Sequence, residues 1–174
     1  LKNLTDVNNR GGEISSEQAF ELIAKLLDNS GGQLLSNQKL TLTLDNALTS
    51  IKGTIAAAAL QVRAASLDNS DGGVLLSDSD IEVTVDGLLK NTNKGSIRAA
   101  QQLTLNSTGL NNQGGTLVGV SGLTMDLGTT AQDLNNQDGV ISSKGGLSIA
   151  HLRDLNNQNG VINSKGVLSI ATLR

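Results

Sequence analysis

Apolar residues recur along this chain in pairs two positions apart, with polar residues on either side. This spacing is the pattern of a half-buried β-strand, because successive side chains of a strand point to opposite faces. The pairs are Phe20/Leu22, Leu40/Leu42, Leu60/Val62, Ile81/Val83, Leu103/Leu105, Leu123/Met125, Leu147/Ile149 and Leu168/Ile170. A single apolar residue precedes each pair, at Ile14, Leu34, Ile55, Leu75, Ile97, Leu117, Ile141 and Ile162. The pattern predicts two short strands in each of eight units.

The units follow one another at a nearly constant interval. They start at Val7, Leu27, Leu48, Leu67, Leu89, Leu110, Leu134 and Leu155, in steps of 20, 21, 19, 22, 21, 24 and 21 residues. Self-similarity at such a period is typical of a solenoid, in which each repeat buries its apolar face against its neighbours. We predict one β-helix segment over residues 1–174, with 1–26 matching the template least. Because the chain begins abruptly inside a repeat and ends on one, we interpret it as a fragment of a longer protein.

Two polar positions recur in step with the strands. The third residue of a unit is Asn in seven of the eight units, and Ser50 replaces it in the other; these are Asn9, Asn29, Asn69, Asn91, Asn112, Asn136 and Asn157. A glycine follows three residues later, at Gly12, Gly32, Gly53, Gly72, Gly115, Gly139 and Gly160, while the unit starting at Leu89 has Gly95 after one inserted residue. We predict that the amides form a ladder between stacked coils. The glycines are expected to supply turns with positive φ.

Two segments carry local signals for helix. Residues 15–25 begin with a capping-box pattern, and residues 54–60 are rich in alanine, the best helix former. Both segments also hold apolar residues at the positions that the repeat assigns to strands. We therefore predict strands in both, because tertiary context overrides propensity.

Three solenoid types have to be distinguished. Leucine-rich repeats share the period but need a Leu pattern that is absent around Leu155. Left-handed β-helices need a six-residue repeat, which this sequence also lacks. A coil of about 21 residues leaves room for three short strands and their corners. We therefore predict an all-β fold, a three-faced parallel β-helix, whose eight coils make a rod on the order of 40 Å long at about 4.8 Å per coil.

The composition of the chain argues against several classes of site and function. The chain has no Pro, Cys, Trp or Tyr and a formal net charge of −3. Without cysteine there are no disulfides or thiolate metal sites, and without a basic stripe or an aromatic platform nucleic-acid binding is unsupported. No apolar run approaches the length of a membrane-spanning helix. We expect no cofactor.

A few side chains could carry chemistry. Asp78, Asp80, Glu82 and Asp86 form the densest acidic cluster, and strand alternation is expected to place the first three on one face, where oxygen ligands could hold Ca²⁺. Segment 68–73 is similar to a calcium loop but lacks the terminal Glu. For both, a solvated face or ordinary turn is the favoured interpretation. We likewise expect a solvated corner for His151, Arg153 and Asp154. Lys144 and Lys165, one above the other in adjacent coils, could make a small positive strip, but solubilising roles are the favoured interpretation.

The segments Leu110-Asn-Asn-Gln-Gly-Gly-Thr-Leu117, Leu134-Asn-Asn-Gln-Asp-Gly-Val-Ile141 and Leu155-Asn-Asn-Gln-Asn-Gly-Val-Ile162 resemble filamentous haemagglutinin repeats. These repeats occur in large exoproteins of two-partner secretion systems in Gram-negative bacteria, including adhesins and contact-dependent growth-inhibition proteins. The resemblance implies a right-handed parallel β-helix, export through an outer-membrane transporter, and display at the cell surface.

Three functions follow as hypotheses. The first is a structural shaft that projects a distal binding or toxin region, with receptors contacted through other regions. The second is a ligand-binding face for a host protein or glycan. The third, a polysaccharide-cleaving β-helix enzyme, is disfavoured because no Trp or Tyr could stack on a sugar and no acid–base pair is evident. We therefore expect no catalytic residues, and we expect that exposed end coils favour end-to-end self-association.

Overall fold

The computed structural model describes residues 1–128 and 132–172, and this part of the chain contains β-strands and no helix. Its strands are β1 Leu4–Asn8, β2 Glu13–Ser16, β3 Phe20–Asp28, β4 Gln33–Leu44, β5 Ala47–Thr49, β6 Thr54–Ala64, β7 Ser66–Asp68, β8 Val74–Ser77, β9 Ile81–Val85, β10 Leu89–Lys90, β11 Ser96–Ala99, β12 Gln102–Asn106, β13 Leu110–Asn111, β14 Thr116–Gly119, β15 Gly122–Asp126, β16 Gln132–Asn135, β17 Val140–Ser143, β18 Gly146–Asn156, β19 Val161–Ser164 and β20 Leu168–Thr172. The predicted domain 1–174 also takes in residues 129–131 and 173–174, which lie outside the described residues.

The strands wind into stacked coils, and most strands pair in parallel with the strand one coil earlier and the strand one coil later. Each coil has three faces. Face 1 holds β1, β5, β7, β10, β13 and β16; face 2 holds β2, β8, β11, β14, β17 and β19; face 3 holds β9, β12, β15 and β20. The longer strands β3, β4, β6 and β18 run through a corner and contribute to two successive faces. The predicted fold class, an all-β parallel β-helix of about eight coils, is confirmed.

The core is a narrow tube of aliphatic side chains stacked in vertical register. Leu34 pairs with Ile55, Ile55 with Leu75, and Leu75 with Ile97, and the same column continues to Ile162. The pairs that the sequence marks on face 3 form two further columns, and in the middle coils these side chains are 0–2% exposed. Because each coil buries its apolar residues against the coils above and below, the fold needs no aromatic bulk.

The two segments with helical signals are strands, as predicted. Residues 54–60 belong to β6 and residues 20–25 to β3, and both pair with neighbouring coils on both sides. In β6, Ile55, Leu60 and Val62 point inward and are at most 2% exposed. Burial in the tube outweighs the helical preference of the alanines between them. Within the described ranges no helix could cross a membrane.

Candidate functional site: a buried asparagine ladder

The recurring asparagines lie one above another at the corner between faces 1 and 2. In five of the seven, the side-chain Nδ2 donates a hydrogen bond to the Oδ1 of the asparagine one coil later: Asn9 to Asn29 at 2.7 Å, Asn69 to Asn91 at 2.8 Å, Asn91 to Asn112 at 2.8 Å, Asn112 to Asn136 at 2.7 Å and Asn136 to Asn157 at 2.8 Å. In every bond the donor belongs to the earlier coil. The ladder therefore has one direction along the rod.

The same amides also satisfy the turn backbone. Nδ2 of Asn91 lies 3.1 Å from the carbonyl oxygen of Gly95 in its own turn and 3.1 Å from that of Thr116 in the next coil. Asn29, Asn69, Asn91, Asn112 and Asn136 are fully buried, and Asn9 is 6% exposed. An unpaired carbonyl at such a depth is costly, so each amide supplies donors where the strand ladder leaves acceptors open.

The glycine after each asparagine allows the coils to approach closely. A Cβ on Gly115 would overlap the backbone oxygen of Asn91 in the preceding coil, and Gly32, Gly53, Gly73, Gly95, Gly139 and Gly160 meet the corresponding residue in the same way. The prediction that the turn glycines supply positive φ is confirmed for Gly72 and wrong for the other six, Gly12, Gly32, Gly53, Gly115, Gly139 and Gly160. Positive φ falls on the residue before the glycine, which is Gly114 (φ 62°) in this coil and Lys52, Asp138 or Asn159 in others.

In the coil of Gly72, the turn with positive φ and the close approach to the preceding coil fall on different glycines. Gly72 has a φ of 84° and open space around it, whereas Gly73 lies against the backbone oxygen of Ser50. The turn after Asn69 therefore has one more residue than most, as does the turn after Asn91 that ends at Gly95. Both longer turns use two consecutive residues with positive φ, Asp71–Gly72 and Asn93–Lys94.

The ladder is weakest at Ser50. Asn29 Nδ2 reaches the Ser50 hydroxyl at only 3.4 Å, and the buried Oδ1 of Asn69 in the next coil has no hydrogen-bond partner. A serine side chain is too short to bridge to the amide above it. The column is thus divided into an amide pair, Asn9–Asn29, and a run from Asn69 to Asn157.

The acidic cluster does not form a metal site. The strand expected to align Asp78, Asp80 and Glu82 is interrupted, because β8 ends at Ser77 and β9 begins at Ile81, so the first two residues lie in a corner. Asp80 accepts a hydrogen bond from the Gln102 amide and Glu82 one from Gln61. In segment 68–73, Asp68 pairs with Lys90 at 3.1 Å. Over residues 1–128 and 132–172, no group of three acidic or histidine side chains could hold a metal ion.

His151 has a partner that the sequence did not reveal. Its Nδ1 lies 2.7 Å from the Asp126 carboxylate of the preceding coil, and the residue has a φ of 60°. The hydrogen bond from His151, with a second from the Gly128 amide, holds the pKa of Asp126 below its usual value. Arg153 similarly makes two hydrogen bonds to Asp133, at 2.9 and 2.7 Å, and these lower the pKa of that carboxyl. The 20 residues between Asp133 and Arg153 are about one coil length, a signal that could have predicted this pair, whereas the 25 residues between Asp126 and His151 exceed that length.

Three cations gather at one groove on the outer side of face 2. Arg98, Lys144 and Lys165 line this groove of about 320 Å³ together with valine, serine and asparagine side chains, and no carboxylate lines it. The described arginines 10, 63 and 153 each lie within 4 Å of a carboxylate, and Arg98 does not. The groove is therefore a small positive surface on a chain with a net charge of −3.

Comparison with known proteins gives one match. A family model described as a haemagglutinin repeat matches the chain four times, over residues 3–52, 47–93, 82–126 and 122–172. Searches of curated proteins and of solved structures gave no match. The four matches overlap and together extend from residue 3 to residue 172, so they take in every coil and every rung of the ladder.

Proposed function

This chain belongs to the haemagglutinin-repeat family, and we propose that it is a non-catalytic shaft segment of a secreted, cell-surface adhesin. The family is structural and adhesin-like rather than enzymatic, and it is typically extracellular or surface-associated. In this proposal the segment sets the distance between the cell surface and a distal region that binds a receptor or delivers a toxin.

The observation that carries the proposal is the vertical register of the inward-facing columns from coil to coil. Column positions such as Leu34, Ile55 and Leu75 lie directly over one another, and most strands are hydrogen-bonded on both sides. Bending such a rod would have to strain backbone ladders on three faces together with the buried amide ladder. The stability of a solenoid is approximately a sum over coils and their interfaces, so stiffness is maintained as coils are added.

The composition suits export as an unfolded chain. Without cysteine no cross-link can form, and without proline no slow prolyl isomerisation has to precede folding. We propose that the chain threads through the outer-membrane transporter of a two-partner secretion system and folds outside the cell. Stacking of successive coils as they emerge provides a local folding route, because each coil contacts only its neighbours.

Coil exchange in the exported protein tests the shaft role. Replacing residues 67–109 by a second copy of residues 110–154 keeps the number of coils but changes the outer side chains of two coils. A shaft predicts unchanged adhesion to target cells, while deleting residues 67–109 should shorten the reach of the distal region and lower adhesion to recessed receptors. Loss of adhesion on the exchange alone would instead identify a binding face.

The groove of Arg98, Lys144 and Lys165 favours a second candidate function, a ligand-binding face for a partner that carries negative charge. Reversing two of these charges, Arg98→Glu and Lys144→Glu, then abolishes attachment, while the same change at Lys25 and Lys39 does not. Attachment that both double variants retain rules this candidate out.

A further inference from the structure

The corner of residues 49–53, in the third coil, is held by few side-chain hydrogen bonds. Within the part of the chain that the structure describes, one side-chain bond reaches it, the 3.4 Å bond from Asn29 Nδ2 to the Ser50 hydroxyl. In most other coils an aspartate or asparagine begins this corner and accepts a hydrogen bond from the backbone amide two residues later, as Asp28 does. Thr49 takes that place in the third coil, and its side chain makes no such bond among the described residues.

Two buried polar atoms lie against this corner without a hydrogen-bond partner. One is Oδ1 of Asn69 in the next coil, and the other is the hydroxyl of Ser30 in the preceding coil. Ile51 lies over Ser30 and has no polar side-chain group to offer it. At the equivalent place two coils later, the Thr92 hydroxyl bonds that of Ser70 at 2.9 Å. Opening the corner of residues 49–53 lets water reach both unpaired atoms, so it costs less free energy than opening a corner whose groups are all paired.

The fifth coil provides a matched comparison. Its corner ends in Lys94–Gly95, as that of the third coil ends in Lys52–Gly53, and the two lysines are both exposed with positive φ, 68° and 55°. Both glycines lie against the backbone of the preceding coil. In the fifth coil, however, Asn91 Nδ2 makes three hydrogen bonds of 2.8–3.1 Å, and Asn93 bonds Asp71 at 3.0 Å. The two Lys–Gly bonds therefore share their chemistry and exposure and differ in how firmly the corner around them is held.

We propose that the corner of residues 49–53 is a processing site, at which a protease that cuts after lysine cleaves the Lys52–Gly53 bond of the folded rod. Exposed turns that open at low cost are preferred sites of nicking, and the cleavage rate of a briefly opened segment follows the population of the open form. Water adds across the bond and leaves a carboxylate on Lys52 and an amine on Gly53. A protease whose specificity pocket carries a carboxylate recognises the ammonium group of Lys52.

The rod is expected to stay assembled after this cut. The strands on either side of the corner, β5 and β6, are each paired with a strand of the preceding coil and a strand of the next coil. Cleavage in the turn removes none of these pairings and leaves the apolar columns in place. Nicking therefore interrupts the covalent chain of the shaft before it changes the shape of the shaft.

Limited proteolysis of the purified chain with trypsin, followed by mass spectrometry, tests this proposal. Apart from cuts in the first and last coils, the first cut is expected at Lys52, and the cut at Lys94 should be roughly tenfold slower. Ser50→Asn supplies the missing amide and should lower the rate at Lys52 roughly tenfold relative to the rate at Lys94. Lys52→Gln removes the cleavable bond without changing the ladder and should abolish this early cut.

The ratio of the two cleavage rates separates opening of the corner from unfolding of the whole rod, because global unfolding exposes Lys52 and Lys94 alike. Asn91→Ser gives the fifth coil the side chain that the third coil has at Ser50, and it should raise the rate at Lys94 toward that at Lys52. Equal rates at the two lysines of the wild type, or a ratio that Ser50→Asn leaves unchanged, overturn the proposal. Either result leaves the proposed shaft function intact, since that function depends on the stacking of the coils and not on their cleavage.

Discussion

The buried Oδ1 of Asn69 lies one coil after Ser50 and receives no hydrogen bond from it. At the corresponding place in other coils an asparagine donates to the next asparagine over 2.7–2.8 Å. Ser50 itself is fully buried and receives only the long bond from Asn29. The ladder therefore contains one interruption, and it lies between two coils whose backbone register is otherwise regular.

Ser50→Asn is expected to stabilise the protein. The new Nδ2 can donate to Asn69 Oδ1, and the new Oδ1 can accept from Asn29 at a shorter distance than the serine hydroxyl does. Satisfying a buried acceptor contributes about 1–3 kcal/mol, which a higher urea midpoint at unchanged slope would show. Ser30→Asn, which adds an amide one residue outside the column, serves as the control and should give no gain of this kind.

Asn112→Ala should be strongly destabilising. Asn112 Nδ2 bonds Asn136 at 2.7 Å and the carbonyls of Gly115 and Val140 at 3.2 and 3.3 Å, so two buried acceptors and one part-buried acceptor lose a donor. We expect a loss of roughly 2–4 kcal/mol in the free energy of unfolding. The neighbouring Asn111→Ala removes only a bond from the Gln113 amide and should cost less than about 1 kcal/mol. Equal losses for the two variants would contradict the structural role of the ladder.

Gly115→Ala and Gly114→Asn test which glycine is required for close approach. The added methyl at residue 115 would overlap the Asn91 carbonyl, and separating the coils to relieve it should cost roughly 1–3 kcal/mol or more. Gly114 has a φ of 62° and a loosely packed surrounding, and Asn159 adopts a φ of 53° at the equivalent place. Gly114→Asn should therefore be nearly neutral in urea unfolding.

The Asp126–His151 contact gives part of the stability a dependence on pH. The pKa of Asp126 is lowered in the folded chain, mainly by the hydrogen bond from His151, so its contribution is fully present above the ordinary aspartate pKa of 3.8. This contribution is lost as pH falls through the lower pKa of the folded state. Asp126→Asn is thus expected to reduce stability at pH 6 and to flatten its decline below about pH 4.

Thermal unfolding between pH 2 and pH 7 measures this effect. Glu13→Gln removes one carboxyl without breaking a side-chain contact of the described chain and should leave the acid decline unchanged. His151→Gln should lower the stability at pH 6 as Asp126→Asn does, because it removes the same hydrogen bond. If the stability of Asp126→Asn falls with decreasing pH as steeply as that of the wild type, the Asp126–His151 pair does not contribute to the pH dependence of stability.

The repeat made the main features of the fold predictable. Inward positions such as Leu60 and Val62 could be assigned from their spacing alone, even beside a run of alanines, because apolar residues recur at the same two positions of every repeat. The stacking of asparagines followed for the same reason. A pattern that recurs eight times outweighs the local propensity of any one segment.

Features that depend on corner geometry could not be predicted. The additional residue in the turn after Asn69 moves the close approach from Gly72 to Gly73. Because the two glycines are adjacent, the sequence does not show which of them contacts the preceding coil. His151 meets Asp126 across 25 residues because this coil is longer than the average. Backbone conformation at a corner, rather than the period, decides both contacts.

The single direction of the amide bonds has an electrical consequence. Each amide in the ladder points its N–H toward the C-terminal coil and its carbonyl oxygen toward the N-terminal coil, so the side-chain dipoles add along the axis, whereas strand dipoles largely cancel. Neighbouring amides in such a row polarise one another, which strengthens the field between Asn69 and Asn157. The rod therefore has a positive and a negative pole that are independent of its net charge.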